Sequence, residues 1–276
     1  MIPSAVDLSS VNLKLSRAEE HFQALKSEIF AYFHHGPYRY AERVSDDFTK
    51  YSIVVTRSEC EPPIERWGLM TGDCVHNLRC ALDHLIYAIA VFKHGDPPPD
   101  ADSLAFPIAL KPNAFSSYRG KLSMGTLDNA VWTCLEGLQP DIRNNPDLPA
   151  FLEIISVLDN RDKHRLVQLT IASPEEYDIG FDFTGVMPGS KYIDEVYYGD
   201  LHNGTEVHSI TFECPTRNVK YDRVNLHMAF SVWHGAKIPD DPHPWKHRSN
   251  VLALLEKLLG EVRAIIPIVL ASIPNQ

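Results

Sequence analysis

Residues Asp73 to Tyr87 read DCVHNLRCALDHLIY, and their pattern leaves little choice of local structure. At about 100° per residue, Val75, Leu78, Ala81, Leu82, Leu85, Ile86 and Ile89 fall on one arc of a helix. Asp73, His76, Asn77, Cys80, Asp83, His84 and Tyr87 fall on the opposite arc. One face must be buried, and the other is chemically unusual. A solvated helix face is normally built from Lys, Glu and Gln, which stay hydrated at little cost. His, Asn, Asp, Cys and Tyr are instead the residue types of sites.

Around this helix the chain reads as follows. Asp7 or Ser9 caps a first helix running to about Phe33, with Leu13, Leu15, Ala18, Phe22, Leu25, Ile29 and Phe33 inside. HHGPYRY, His34 to Tyr40, stops it at Gly36 and Pro37. Tyr51 to Arg57 is a β-branched strand, and Pro62 and Pro63 open the two-faced helix, which ends near His94–Gly95 before DPPPD. Residues 95–125 read as a long irregular connection holding one apolar block, LAFPIAL, and such a connection is often functional. Helices are expected at Leu127–Leu138 and Leu148–Leu158. Strands are expected at Leu166–Ala172, Tyr177–Thr184, Tyr192–Tyr198, Glu206–Glu213 and Arg223–Val232. A closing helix, Lys246 to Leu270, carries Val251, Leu254, Leu255, Leu258, Leu259, Val262 and Ile265 on one stripe.

The fold class is therefore α+β, a helical bundle followed by an antiparallel sheet of about five strands and a closing helix. The expected division is 1–164 for the bundle and 165–276 for the sheet with its helix, which can also return to the bundle as one unit.

The formal charge of −10 argues against broad DNA or anionic-membrane binding, although a local basic patch can still take RNA. Five cysteines, odd in number and without CxxC spacing, indicate neither a disulfide framework nor a zinc ribbon. The N-terminal residues lack a signal-peptide pattern, and the longest apolar tract, near Ile265 to Ile273, is broken by Pro267. A cytoplasmic protein with no cofactor is expected.

Arg79 and His84 form R-x4-H within the two-faced helix. This resembles the R-x4-6-H signature of HEPN-type helical domains, many of which are metal-independent endoribonucleases acting as dimers. By that resemblance His84 moves a proton at the 2′-hydroxyl or the leaving oxygen, and Arg79 holds the scissile phosphate. The resemblance implies an RNA ligand, a homodimer, and a role as a toxin or phage-defence effector. The pattern departs from the family at Cys80, where those enzymes usually carry a polar residue such as Asn. A regular helix also sets Arg79 and His84 roughly 140° apart. On its residues alone, Arg79 reads equally as a semi-buried clamp for a carboxylate.

The second polar stretch is LDNRDKHRL, Leu158 to Leu166, placed at a helix-to-strand junction. Cations there suit a helix C-terminus, but Asp159, Asn160, Arg161, Asp162, Lys163, His164 and Arg165, seven consecutive polar residues of both signs, exceed what capping needs. Asp162 is a candidate partner for Arg79, and Lys163, His164 and Arg165 are candidates for an anionic ligand. HNLRCALDHL together with LDNRDKHRLV resembles a family of uncharacterised bacterial proteins, from the first helix to the closing one, which implies that the two stretches serve one unit.

Around Arg79 and His84, the residues His76, Asn77, Cys80, Asp83, Tyr87, Asn160, Asp162, Lys163, His164 and Arg165 are the supporting or ligand-binding candidates. Three alternatives stay open. The stripe and the DKHR residues form a buried polar network that docks the sheet to the bundle in a non-catalytic binding or structural protein. Or His76, Cys80 and His84, at i, i+4 and i+8, ligate metal in a helical-bundle hydrolase, aided by Asp73 or Asp83 and by His21 or His164. Or Cys80 beside His76 and His84 is a thiolate nucleophile. DDPHPWKHRSN, Asp240 to Asn250, combines aromatic and basic residues as a base-stacking site would, but reads more simply as the loop leading into the last helix.

Overall fold

A computed structural model describes residues 5–57, 61–111, 114–140, 151–164, 166–167, 169–182, 186, 189–197, 201–217, 219–233 and 248–274. The described elements are α1 (Ser9–His34), β1 (Tyr38–Val44), β2 (Lys50–Arg57), α2 (Ile64–His94), a 3₁₀ turn (Ala101–Ser103), α3 (Ala114–Arg119), α4 (Asn129–Gly137), α5 (Phe151–Asp162), β3 (Leu169–Asp182), β4 (Tyr192–Val196), β5 (Glu206–Phe212), β6 (Lys220–Trp233), β7 (Arg248–Asn250) and α6 (Val251–Leu270). The fold is α+β with antiparallel pairing and a helix after the last strand. No helix among the described residues is long and apolar enough to cross a membrane.

The chain divides into two compact units, and not at residue 164. One contains residues 1–26, 65–168 and 232–276; the other contains 27–64 and 169–231. The closing helix thus belongs with the helices, and the early β1–β2 hairpin belongs with the later strands.

In the helical unit the apolar stripes set the packing. Val11, Leu15, Ala18, Phe22 and Leu25 recur every three or four residues along α1 and are buried, as are the seven apolar positions expected on α2. Leu13, expected inside, is 71% exposed because it falls between the turns of that stripe. Helix α6 packs on α4 and α5, and its Leu254, Leu255, Leu258 and Val262 are buried. It begins at Val251 rather than Lys246, because the Asn250 side chain caps it, accepting from the amides of Leu252 and Ala253 at 2.9 and 3.2 Å. Residues 240–247 of the aromatic-basic stretch, and the expected start of α5 at Leu148, lie outside the described residues.

In the other unit the strands fall into two sheets rather than one, β1-β2-β5-β4 in that order and a second in which β3 neighbours β6. Strand β1 was not expected, since HHGPYRY reads as a breaker. Gly36, at φ +59°, ends α1, and Tyr38 to Val44 then pairs in register with Arg57 to Tyr51. The expected strands at Leu166–Ala172 and Tyr177–Thr184 are one, because Ser173–Glu176 continues extended and the fixed φ of Pro174 permits that at an edge. Tyr51, Ile53, Val55, Val207, Ile210 and Phe212 form this unit's core.

Candidate functional site

Helix α2 has the two faces its sequence demands. Val75, Leu78, Ala81, Leu82, Leu85 and Ile86 have no exposed surface, whereas His76, Asn77, Cys80, Asp83, His84 and Tyr87 are partly exposed. Glu65 in the first turn and Lys93 and His94 in the last oppose the helix dipole at both ends.

The polar face is not one site. Its middle is occupied by a backbone clamp. Arg79, with 15% of its side chain exposed, donates from Nη2 to Asp83 Oδ1 at 2.9 Å and to the Phe106 carbonyl at 2.8 Å. The same Asp83 oxygen accepts the Phe106 N–H at 2.8 Å. One buried residue of the irregular segment thus has both backbone groups satisfied by two side chains one helical turn apart. Gln139 does the same next door: its Oε1 accepts the Ala109 N–H at 2.7 Å, and its Nε2 donates to Pro107 O and Leu135 O at 3.0 and 2.7 Å. Phe106, Ile108 and Ala109 are buried with no neighbouring strand among the described residues, so these side chains take the place of a sheet's hydrogen bonds. Burial pushes the Asp83 carboxyl above its ordinary range, although Arg79 and the Phe106 amide pull the other way.

The expectation that Asp162 pairs with Arg79 fails for this reason: Arg79 is committed to its own helix and to Phe106. Asp162 instead lies against Gly72, whose missing side chain leaves room for the carboxylate. Burial there, followed by the nearby Asp73 charge, raises the Asp162 carboxyl.

Toward the N-terminal end of the stripe lies a second cluster. Asp159, 3% exposed on α5, accepts from His76 Nδ1 at 2.9 Å through Oδ1 and from Lys163 Nζ at 2.6 Å through Oδ2. The other ring nitrogen of His76, Nε2, lies 3.4 Å from Cys80 Sγ. Asp159, His76 and Cys80 therefore stand in line as carboxylate, imidazole and thiol. Helix α5 runs through Asp162, so the LDNRD residues are helix and not a junction, and Asp159 sits on the buried arc with Leu152 and Ile155. That arc is the signal that marks Asp159 out, because a carboxylate at an apolar helical position needs partners.

The remaining candidates are dispersed. Asn77 donates to Asp73 O at 2.8 Å, Tyr87 to Asp96 Oδ1 at 2.9 Å, and Asn160 to Ser156 Oγ at 3.5 Å. His84 is half-buried and makes no side-chain hydrogen bond among the described residues. His164 is exposed, and Arg165 lies outside the described residues. His21 approaches Asp73 at 3.9 Å and not the His76, Cys80, His84 row. Among the described residues no three His, Cys, Asp or Glu side chains are grouped to hold a metal ion, so the i, i+4, i+8 spacing does not become a ligand set.

Compared with models of known families, with curated proteins and with solved structures, the chain matches none.

Proposed function

We propose that this chain is a non-catalytic binding or structural protein at its Arg79 centre, where the polar stripe serves as an internal network. One observation carries this reading: the Arg79 guanidinium is bonded to Asp83 and to the Phe106 carbonyl, and freeing it for a phosphate would leave the Phe106 carbonyl unpaired and the Asp83 carboxylate without its counter-charge, held only by the Phe106 amide. The test measures RNA cleavage and melting temperature together for wild type, Arg79→Ala and His84→Ala. This reading expects no cleavage from any of the three, a lowered melting temperature for Arg79→Ala, and a nearly unchanged one for His84→Ala. Cleavage that disappears in a folded His84→Ala protein would overturn it.

A second reading, a HEPN-like metal-independent endoribonuclease working as a homodimer on RNA, is favoured by two observations. Arg79 Nη1 is buried with no hydrogen-bond partner among the described residues, and half-buried His84 is unbonded there too. A phosphate oxygen would satisfy the first once the chain covering Nη1 moves aside, and His84 offers a ring nitrogen for proton transfer. This reading requires a dimer in solution.

A further inference from the structure

We propose that Cys80 is a site of thiol–disulfide exchange with a small disulfide, in which His76, held by Asp159, takes the thiol proton and returns it to the departing sulfur. The inference goes beyond the network reading and does not depend on it.

The arrangement has the parts that an activated nucleophile needs: a thiol within reach of a base, and a base oriented by a third group. Cys80 Sγ and His76 Nε2 are 3.4 Å apart, and Asp159 Oδ1 fixes the opposite nitrogen at 2.9 Å. Lys163 holds the second Asp159 oxygen, so the buried carboxylate stays in place while the imidazole charge changes. Cys80 is partly exposed and the His76 side chain is 45% exposed, so a small reagent reaches both.

The charges facing the thiol come from three helices. Lys14 on α1 and Lys163, just past α5, favour the thiolate, while Asp83 on α2 and Asp159 on α5 oppose it. Burial outweighs them and pushes the thiol above its ordinary range. Cys80 is therefore a protonated thiol at neutral pH, which is the state that requires a base. The other cysteines serve as internal references. Cys74 is fully buried and pushed up to about 12, and Cys214 is exposed.

The electrophile class follows from the position within the helix. In a helix interior each backbone N–H is already bonded four residues back, so no pair of amides is free to stabilise an oxyanion. Acyl transfer lacks its usual support here. Exchange at sulfur needs none: the Cys80 sulfur forms a bond to one sulfur of the disulfide, the S–S bond breaks, and the displaced thiolate takes the proton from His76. The products are a mixed disulfide on Cys80 and one free small thiol, with no other oxidant consumed.

The test uses full-length protein carrying Cys60→Ser, Cys134→Ser and Cys214→Ser, treated with oxidised glutathione, with adducts located by peptide mass. One adduct on Cys80 is expected. Its rate at pH 7 falls about tenfold or more in His76→Gln, as loss of a general base does, and falls also in Asp159→Asn. On the His76-containing protein the pH–rate profile at Cys80 departs from a simple rise with thiolate formation, which a merely structural histidine would not produce. Because His76→Gln can disturb the fold, the profile is also taken on the wild-type chain, comparing Cys80 with Cys214 in the same molecule. No adduct on Cys80, or a profile that rises only with thiolate formation, overturns the proposal.

Discussion

Arg79 and Asp83 hold opposite ends of the same residue. The arginine donates to the Phe106 carbonyl and the aspartate accepts the Phe106 amide, both at 2.8 Å, while the two side chains meet each other at 2.9 Å. The pair at i, i+4 on α2 thereby acts as a short substitute strand for a segment that has none. Removing either member leaves the other half-buried charge without its counter-charge and one Phe106 backbone group without a partner.

Replacing Arg79 with Ala should therefore cost about 3 kcal/mol of unfolding free energy, the low end for breaking a buried pair, because Asp83 is 30% exposed and water reaches it. The double-mutant cycle with Asp83→Ala should give a coupling of about 0.5–3 kcal/mol. Urea denaturation measures both, and strict additivity would mean that the clamp is not a unit.

The α2 stripe was legible because helical period and residue type pointed the same way, and the buried positions from Val75 to Ile89 fall where the period puts them. What the stripe does was not legible. R-x4-H describes Arg79 equally well as a phosphate ligand or as a backbone clamp, and only the position of Phe106, 27 residues away, decides which bonds it makes. Gln139 carried no local signal at all, since a single amide after GL looks like a surface residue until Pro107 and Ala109 are placed against it. The hairpin strand β1 was hidden for a related reason: YRYAERV is poor in β-branched residues and extends because β2 lies beside it. Asp159 was the nearest miss, a charge on an apolar arc.

Gln139 offers a sharper test of the substitute-strand idea, because it is 1% exposed and fully bonded. Gln139→Leu keeps the volume but leaves the Ala109 N–H and the Pro107 carbonyl buried and unpaired. At about 1–3 kcal/mol for each such group, the loss should be about 2–6 kcal/mol. A loss below about 0.5 kcal/mol, the scale of a neutral surface change, would mean that water or another group takes over those two atoms.

In the sheet unit, His208 should make stability fall on mild acidification. It is 3% exposed, with Nε2 2.7 Å from Asp194 and Nδ1 3.2 Å from the Tyr221 hydroxyl. Burial holds its pKa below the ordinary 6.5, although Asp194 and Glu206 pull it upward. The unfolded chain therefore binds the proton first. Stability is complete above about pH 6.5 and is lost as pH falls through that value toward the native pKa. His208→Gln should start less stable and show a flatter slope across that window. An unchanged slope, measured by denaturant midpoints at several pH values, would assign the effect to another group.

Gly68 and Gly72 lie one turn apart on α2 and face the chain after α5 and the last residue of α5 respectively, yet alanine should affect them differently. At Gly68 an added Cβ would overlap the Val167 backbone carbonyl, which cannot move without shifting the chain. At Gly72 it would meet the Asp162 carboxylate, the end of a side chain that can rotate outward. Alanine gains about 1 kcal/mol of helix propensity at either position. Overpacking against a fixed atom costs about 1–3 kcal/mol, so Gly68→Ala should be destabilising overall. Gly72→Ala should stay near neutral, because the displaced carboxylate also regains the hydration whose loss raises its pKa. Thermal melts of the two variants decide the matter. If Gly72→Ala proves the more damaging, the Asp162 carboxylate is held in place by more than the room that Gly72 leaves it.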